Sequence, residues 1–252
     1  MAALRGRTQD GPTADLPTGE AKTRRVREMF DAIAPRYDLV NRVMTLGLDT
    51  GWRRATVAAL ELPPGSLLLD LACGTGDLGR LARRRGYRTV GLDLSWGMLA
   101  HHHAGRAVAQ GDAAALPFAD GSFDGVLCGF ALRNFTDLAH SLQEAARVTR
   151  AGGRVAILEV AAPPRGPFRT GHRIWFETVV PRLGGLLSDA DAYRYLPRSV
   201  AYLPGEAGLR QLFGDAGFST VGRRLLHGGL SQLVTATRAG LPATPSPDDR
   251  PA

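Results

Sequence analysis

The residues with most chemical content lie in Leu67-Leu68-Leu69-Asp70-Leu71-Ala72-Cys73-Gly74-Thr75-Gly76-Asp77-Leu78-Gly79, an apolar run that enters a glycine turn and opens a helix. Gly74, Gly76 and Gly79 have the spacing of a dinucleotide fingerprint. The carboxylates argue for a different ligand. A pyrophosphate at this turn would be repelled by Asp70 and Asp77, whereas a nucleoside bearing ammonium and sulfonium groups would be attracted. The glycines then let the backbone approach the amino-acid part and ribose of that nucleoside; a plain strand-to-helix turn is the alternative. Asp93 closes the next apolar run, Thr89-Val90-Gly91-Leu92-Asp93, where a carboxylate can accept hydrogen bonds from both ribose hydroxyls or cap a helix. Asp112 follows a short strand in Gly111-Asp112-Ala113-Ala114-Ala115-Leu116-Pro117-Phe118; it can accept from an adenine amino group while the Ala113 N–H donates. A helix cap at Asp112 is compatible with that role. Ammonium, sulfonium, ribose and adenine together describe S-adenosylmethionine.

Short apolar runs alternating with helical patterns must position these groups. Leu67–Ala72, Thr89–Leu94, Ala107–Gln110, Gly125–Gly129 and Val155–Val160 are predicted strands, with helices at Leu78–Arg85, Ser95–Ala104 and Leu138–Thr149. Ala151-Gly152-Gly153 is read as a helix C-terminal turn feeding the fifth strand. This rhythm predicts an α/β fold, a doubly wound parallel sheet covered on both faces. Residues 1–21 and 239–252 lack periodicity and are expected to be disordered tails around a domain at 22–238. Within the domain, Phe30, Ile33 and Tyr37 recur at helical spacing, consistent with a lid over 22–60 that closes on the cofactor. An insertion at 163–205 carries apolar clusters among arginines, suited to an acceptor pocket, a bilayer surface or simple core packing.

Composition narrows the setting. No run resembles a membrane span or signal peptide, so a cytoplasmic protein is expected. Cys73 and Cys128 lie in apolar segments and read as buried free thiols. The formal charge of +7 is almost all arginine, Lys22 being the only lysine; it would favour anionic lipid or nucleic acid without choosing between them. His101-His102-His103, read as consecutive helical residues, would point about 100° apart and could not converge on one ion, so no metal is expected. His172 and His227 are isolated.

The four cofactor segments, in this order and spacing, resemble the class I methyltransferases. Three further stretches narrow the likeness to the UbiE/MenG family of ubiquinone and menaquinone C-methyltransferases: Met29-Phe30-Asp31-Ala32-Ile33-Ala34-Pro35-Arg36-Tyr37-Asp38-Leu39-Val40-Asn41, Phe130-Ala131-Leu132-Arg133-Asn134 and Asp189-Ala190-Asp191-Ala192-Tyr193-Arg194-Tyr195-Leu196. The resemblance covers about residues 26–218. It implies a Rossmann-like, mostly parallel seven-stranded sheet with a C-terminal antiparallel hairpin, and cofactor contacts at Thr75, Asp93, Asp112, Ala113 and Gly129. The chain departs from the family at Gly129, commonly serine, at Val40, Thr45, Asp49 and Ala161, and in the hairpin Gly228-Gly229-Leu230-Ser231-Gln232-Leu233-Val234-Thr235.

The implied acceptor is a prenylated quinol, demethylmenaquinol above all. Its hydroxyl must ionise so that the ortho carbon attacks the sulfonium methyl, with most of the acceleration coming from alignment and fixed dipoles. Arg133 and Asn134 follow the fourth strand at its carboxyl end, so Arg133 can lower the phenol pKa, or make a structural ion pair, and Asn134 can bind the acceptor or cap a helix near Asp137. Tyr37 is a candidate pocket residue or a packing tyrosine. A methyltransferase for a secondary metabolite and an NAD(P)-dependent oxidoreductase are the competing readings. Nucleic-acid methylation is disfavoured, because the fourth strand leads into Phe130-Ala131-Leu132-Arg133-Asn134 in place of Asn/Asp-Pro-Pro-aromatic. Peripheral contact with the inner face of the membrane and a homodimer are both compatible with the sequence.

Overall fold

The computed structural model describes residues 17–105, 107–161 and 199–240. Seven strands form one sheet: β1 (Leu67–Leu71), β2 (Arg88–Asp93), β3 (Val108–Gln110), β4 (Phe123–Gly129), β5 (Thr149–Val160), β6 (Phe218–Leu226) and β7 (Ser231–Arg238). Their order is β3-β2-β1-β4-β5-β7-β6. β1 to β5 are parallel, and β7 runs antiparallel to both β5 and β6. The strand order reverses between β1 and β4, which opens a crevice beyond their carboxyl ends.

Period-two alternation gives the sheet two buried faces. Leu69, Leu71, Val126, Cys128, Val155 and Ile157 pack on one side against α6 (Leu138–Val148) and α7 (Glu206–Asp215). Leu68, Leu127, Ala156 and Leu233 pack on the other against α3 (Leu48–Ala58) and α4 (Asp77–Arg84). Asp70 has the parity of Leu68, so its carboxylate projects into the α3/α4 side rather than out at the sheet edge. The N-terminal segment forms α1 (Gly19–Ile33), a 3-10 turn at Ala34–Arg36 and α2 (Tyr37–Met44). Pro35 stands early in that turn, where its missing N–H is harmless. Ile33, Val40 and Met44 from this segment close a third cluster on Met98 of α5 (Trp96–Ala100).

Two local expectations change. Helix α5 is capped by the Ser95 hydroxyl, which accepts from Met98 N at 3.0 Å, but it ends at Ala100 rather than Ala104. The His103 N–H instead donates to Thr75 O at 2.9 Å, drawing the histidines out of the helix and onto the glycine turn. Gly76, at φ 91°, is needed there because a Cβ would stand 2.5 Å from His102 Nε2. In addition, Gly152 and Gly153 lie inside β5 rather than ahead of it, where the register jumps from Phe123 opposite Thr149 to Gly125 opposite Arg154. Most of the 163–205 insertion, with His172 and the Asp189–Leu196 motif, lies outside the described residues.

Candidate active site

A cleft with about 710 Å³ of empty volume, including the part open to solvent, lies at the carboxyl ends of β1, β2 and β4. Of the residues singled out in the sequence, Gly74, Asp93, Asp112, Ala113, Gly129, Tyr37 and Asn134 line it. Asp70, Thr75, Gly76 and Arg133 do not; they stand behind that lining.

Asp93 organises the end of the cleft at the glycine turn. Its Oδ2 accepts from Gly74 N at 2.8 Å and its Oδ1 from Ser95 N at 2.9 Å, with Leu94 N–H a third backbone donor to the carboxylate. Burial pushes this carboxyl above its ordinary range. Asp112 turns its own loop by accepting from Ala114 N at 2.9 Å, and the Asp112–Ala113 backbone forms the cleft wall. Burial of Asp70 is deeper: its Oδ2 accepts from Gly79 N at 2.8 Å, its Oδ1 has no partner, and desolvation lifts its pKa to about 7. A Cβ on Gly79 would meet Asp70 Oδ2 at 2.9 Å, which explains the third glycine of the turn.

The raised Asp70 pKa has a defined sign. The native state holds this proton at pH values where the unfolded chain has released it, so folding stability falls as pH rises from about 4 to about 7. Asp70→Asn should flatten that slope, because its amide oxygen can still accept from Gly79 N without a charge to bury. Denaturant unfolding between pH 5 and 8 checks this; a variant whose pH slope matches wild type would remove Asp70 as the cause.

Two acids that received no role in the sequence reading tie the N-terminal segment down. Asp31 Oδ1 accepts from Ser95 Oγ at 2.6 Å and Gly97 N at 2.8 Å; Asp38 Oδ1 accepts from Thr75 Oγ1 at 2.7 Å. Thr75 therefore meets Asp38 rather than the cleft. Lys22 Nζ adds a bond to Phe135 O at 2.7 Å. Asp31 lies in the last turn of α1 and Asp38 in the first turn of α2, so the intervening turn at Ala34–Arg36 sets their places and no single helical period marks them in the sequence.

On the acceptor side, Asn134 is buried and neither its Nδ2 nor its Oδ1 has a partner. The cap on α6 is Asp137, whose Oδ1 accepts from His140 N at 2.9 Å, so Asn134 is not spent there. Arg133 is 6% exposed and pairs with Glu159, which is 0% exposed. Its guanidinium also donates to Phe130 O at 2.8 Å and Ser199 Oγ at 3.1 Å. Of the two roles expected for it, the geometry presents the ion pair. Burial raises the Tyr37 phenol above its ordinary value, with Arg53 pulling the other way, so Tyr37 is a neutral donor rather than a base.

His101, His102 and His103 turn to three different partners, Gly97 O, Gly105 O and Asp77 Oδ1. Among the described residues no group of His, Cys, Asp or Glu converges on a metal position, and no helix is long and apolar enough to cross a membrane. Cys73 and Cys128 are free, and burial pushes both thiols up, away from reactivity.

A doubly wound sheet with a reversed terminal hairpin, and an acidic nucleoside cleft at its switch point, defines the class I S-adenosylmethionine-dependent methyltransferase fold. Solved structures agree on that fold. The methyltransferase in complex with the Haloferax volcanii Trm112 activator superposes with TM-score 0.61 at 20% identity, covering 84% of this chain and 98% of that one. A SAM-dependent methyltransferase from Thermotoga maritima gives 0.59 at 20% identity over 84% and 99%. The profile of the ubiE/COQ5 methyltransferase family matches residues 18–238, and the chain belongs to that family. The demethylmenaquinone methyltransferase of Thermus thermophilus is 44% identical over 222 residues, 83% of this chain and all of that protein. The Deinococcus radiodurans protein of the same name is 42% identical over 84% and 93%. The chain is thus an S-adenosylmethionine-dependent methyltransferase. The cleft lining suits that cofactor chemically: it carries the Asp93 carboxylate, which can accept from hydroxyls, and the polar Asp112–Ala113 segment.

Proposed function

We propose that this enzyme methylates a ring carbon of demethylmenaquinol, working at the inner face of the membrane. The observation that carries the acceptor reading is Asn134, a buried amide with both polar atoms unpartnered in a cleft whose lining also includes Phe30, Phe130, Ala131 and Phe135. An aromatic ring with a hydroxyl or carbonyl oxygen satisfies both needs, because apolar walls take the ring and the amide takes the oxygen. The substrates named for the Thermus and Deinococcus relatives have that chemistry.

S-adenosylmethionine supplies an electrophilic methyl group on sulfur. The chain's part is alignment and polarisation: Asn134 Nδ2 and the neutral Tyr37 hydroxyl donate to the acceptor oxygen and favour its ionised form, while Phe130 and Phe135 fix the ring plane. Arg133 acts as a positioning residue, fixing the turn after β4 through Glu159. Segment 22–60 acts as the lid, latched through Asp31, Asp38 and Lys22. For membrane contact, Leu39 on α2 is 57% exposed and Leu46 in the turn just past it 72%, with exposed Arg42 between them in the sequence, a pattern suited to an anionic interface.

Deleting the protein from its own cell and profiling quinones by mass spectrometry tests the acceptor. Demethylmenaquinone should accumulate and menaquinone disappear, with Asn134→Ala unable to restore it. An unchanged quinone pool would assign the enzyme to another small-molecule acceptor.

A further inference from the structure

The acids of the cleft answer the positive end of S-adenosylmethionine, yet its amino-acid part is a zwitterion and its carboxylate also needs a partner. Arg53 lies where that partner would be. Helix α3 packs on α4, β4 and β5 and turns Arg53 inward, leaving its side chain 9% exposed. The Nε stands 3.5 Å from Asp49 Oδ2 and 3.7 Å from Asp77 Oδ2, and this buried nitrogen has no hydrogen-bond partner. The two terminal nitrogens likewise bond none of the described residues. A guanidinium offers five donors in a planar fork; Asp49 and Asp77 balance its charge from the Nε side, and the terminal donors are left for a further acceptor.

The fork lies against the back of the cleft wall, behind residues that line it. One Nη lies 3.7 Å from where a Cβ on Gly129 would stand, and the guanidinium carbon is 5.5 Å from the Phe130 ring centroid. Gly129 and Phe130 both line the cleft at the end of β4, and Asp77 begins α4 just past the glycine turn of β1. Arg53 thus sits beside the end of β4 and the start of α4, next to the cleft lining at the switch point. We propose that Arg53 binds the α-carboxylate of S-adenosylmethionine. A permanent cation suits this permanent anion better than it suits the acceptor's oxygen, which is neutral until the reaction begins. Asp49 and Asp77 hold the fork from behind without occupying it. The assignment is independent of the identity of the methyl acceptor.

Two ligands isolate this contact by calorimetry: S-adenosylhomocysteine, and its decarboxylated analogue, which keeps the amine and lacks the carboxylate. Arg53→Gln should weaken adenosylhomocysteine binding about 10- to 100-fold, the range of a charged hydrogen-bonded pair. Binding of the decarboxylated analogue, already weak in wild type, should stay within about twofold. Arg53→Lys should recover part of the loss for the carboxylate ligand alone. Equal loss for both ligands would make Arg53 a purely structural residue, and wild-type affinity for both would assign it to the acceptor; either result overturns the proposal. Should Arg53→Gln fail to fold, the same two-ligand comparison on Arg53→Lys decides, selective loss supporting the proposal and equal loss refuting it.

Discussion

Asp93→Ala should lose measurable binding of S-adenosylmethionine and S-adenosylhomocysteine while keeping its fold. Two effects add. The ribose loses a carboxylate that can take a charge-assisted hydrogen bond from each hydroxyl, worth about 1.5–3 kcal/mol apiece. The glycine turn loses its brace, since Gly74 N and Ser95 N both donate to Asp93. Together these predict an affinity loss on the order of 10²–10⁴-fold by titration calorimetry. The fold survives because the carboxylate is itself costly to bury, as its raised pKa shows. The same shift fixes a pH dependence. Ribose hydroxyls favour the ionised carboxylate, so cofactor affinity of the wild type should fall as pH drops through the raised Asp93 pKa, and Asp93→Asn should show no such fall. Near-wild-type binding in Asp93→Ala would place the ribose elsewhere.

Arg133→Ala should act on stability before it acts on chemistry. Glu159 is fully buried at 0% exposure, and removing its guanidinium leaves a buried carboxylate with no counter-charge. Breaking one side of such a pair costs about 3–5 kcal/mol. For a chain of this size that lowers Tm by about 6–20 °C. The double variant Arg133→Met/Glu159→Leu should recover much of that loss, because an apolar pair of similar volume has no charge to strand. Calorimetric melts of the three proteins check this. A single variant that melts like wild type but has lost turnover would return Arg133 to the acceptor and overturn its positioning role.

The sheet was legible because its signal is local and repeated. Leu67–Leu71, Val126–Gly129 and Val155–Val160 are apolar runs of strand length, each followed by a turn or helix signal. The nucleoside wall was legible for a related reason, since Gly74, Asp93 and Asp112 each sit at the end of a strand and inherit their place from it. What hid was decided by contacts distant in sequence. Nothing near Arg133 distinguishes a guanidinium facing an acceptor from one neutralising Glu159, 26 residues on. Arg53 is one arginine among many, and its place beside Asp77 and Gly129 appears only once α3 packs against α4 and the sheet. The early end of α5 depends on His103 reaching back to Thr75 O, a contact that no helical pattern encodes.

Methyl transfer to a quinol ring is the central step. The most direct measurement supplies purified enzyme with S-adenosylmethionine carrying a fully deuterated methyl group and with reduced demethylmenaquinone in anionic vesicles, then reads the quinone by mass spectrometry. Menaquinone carrying all three deuterium atoms in its new ring methyl should form, with adenosylhomocysteine in equal amount. Unlabelled demethylmenaquinone recovered intact, from enzyme that binds the cofactor normally, would contradict it.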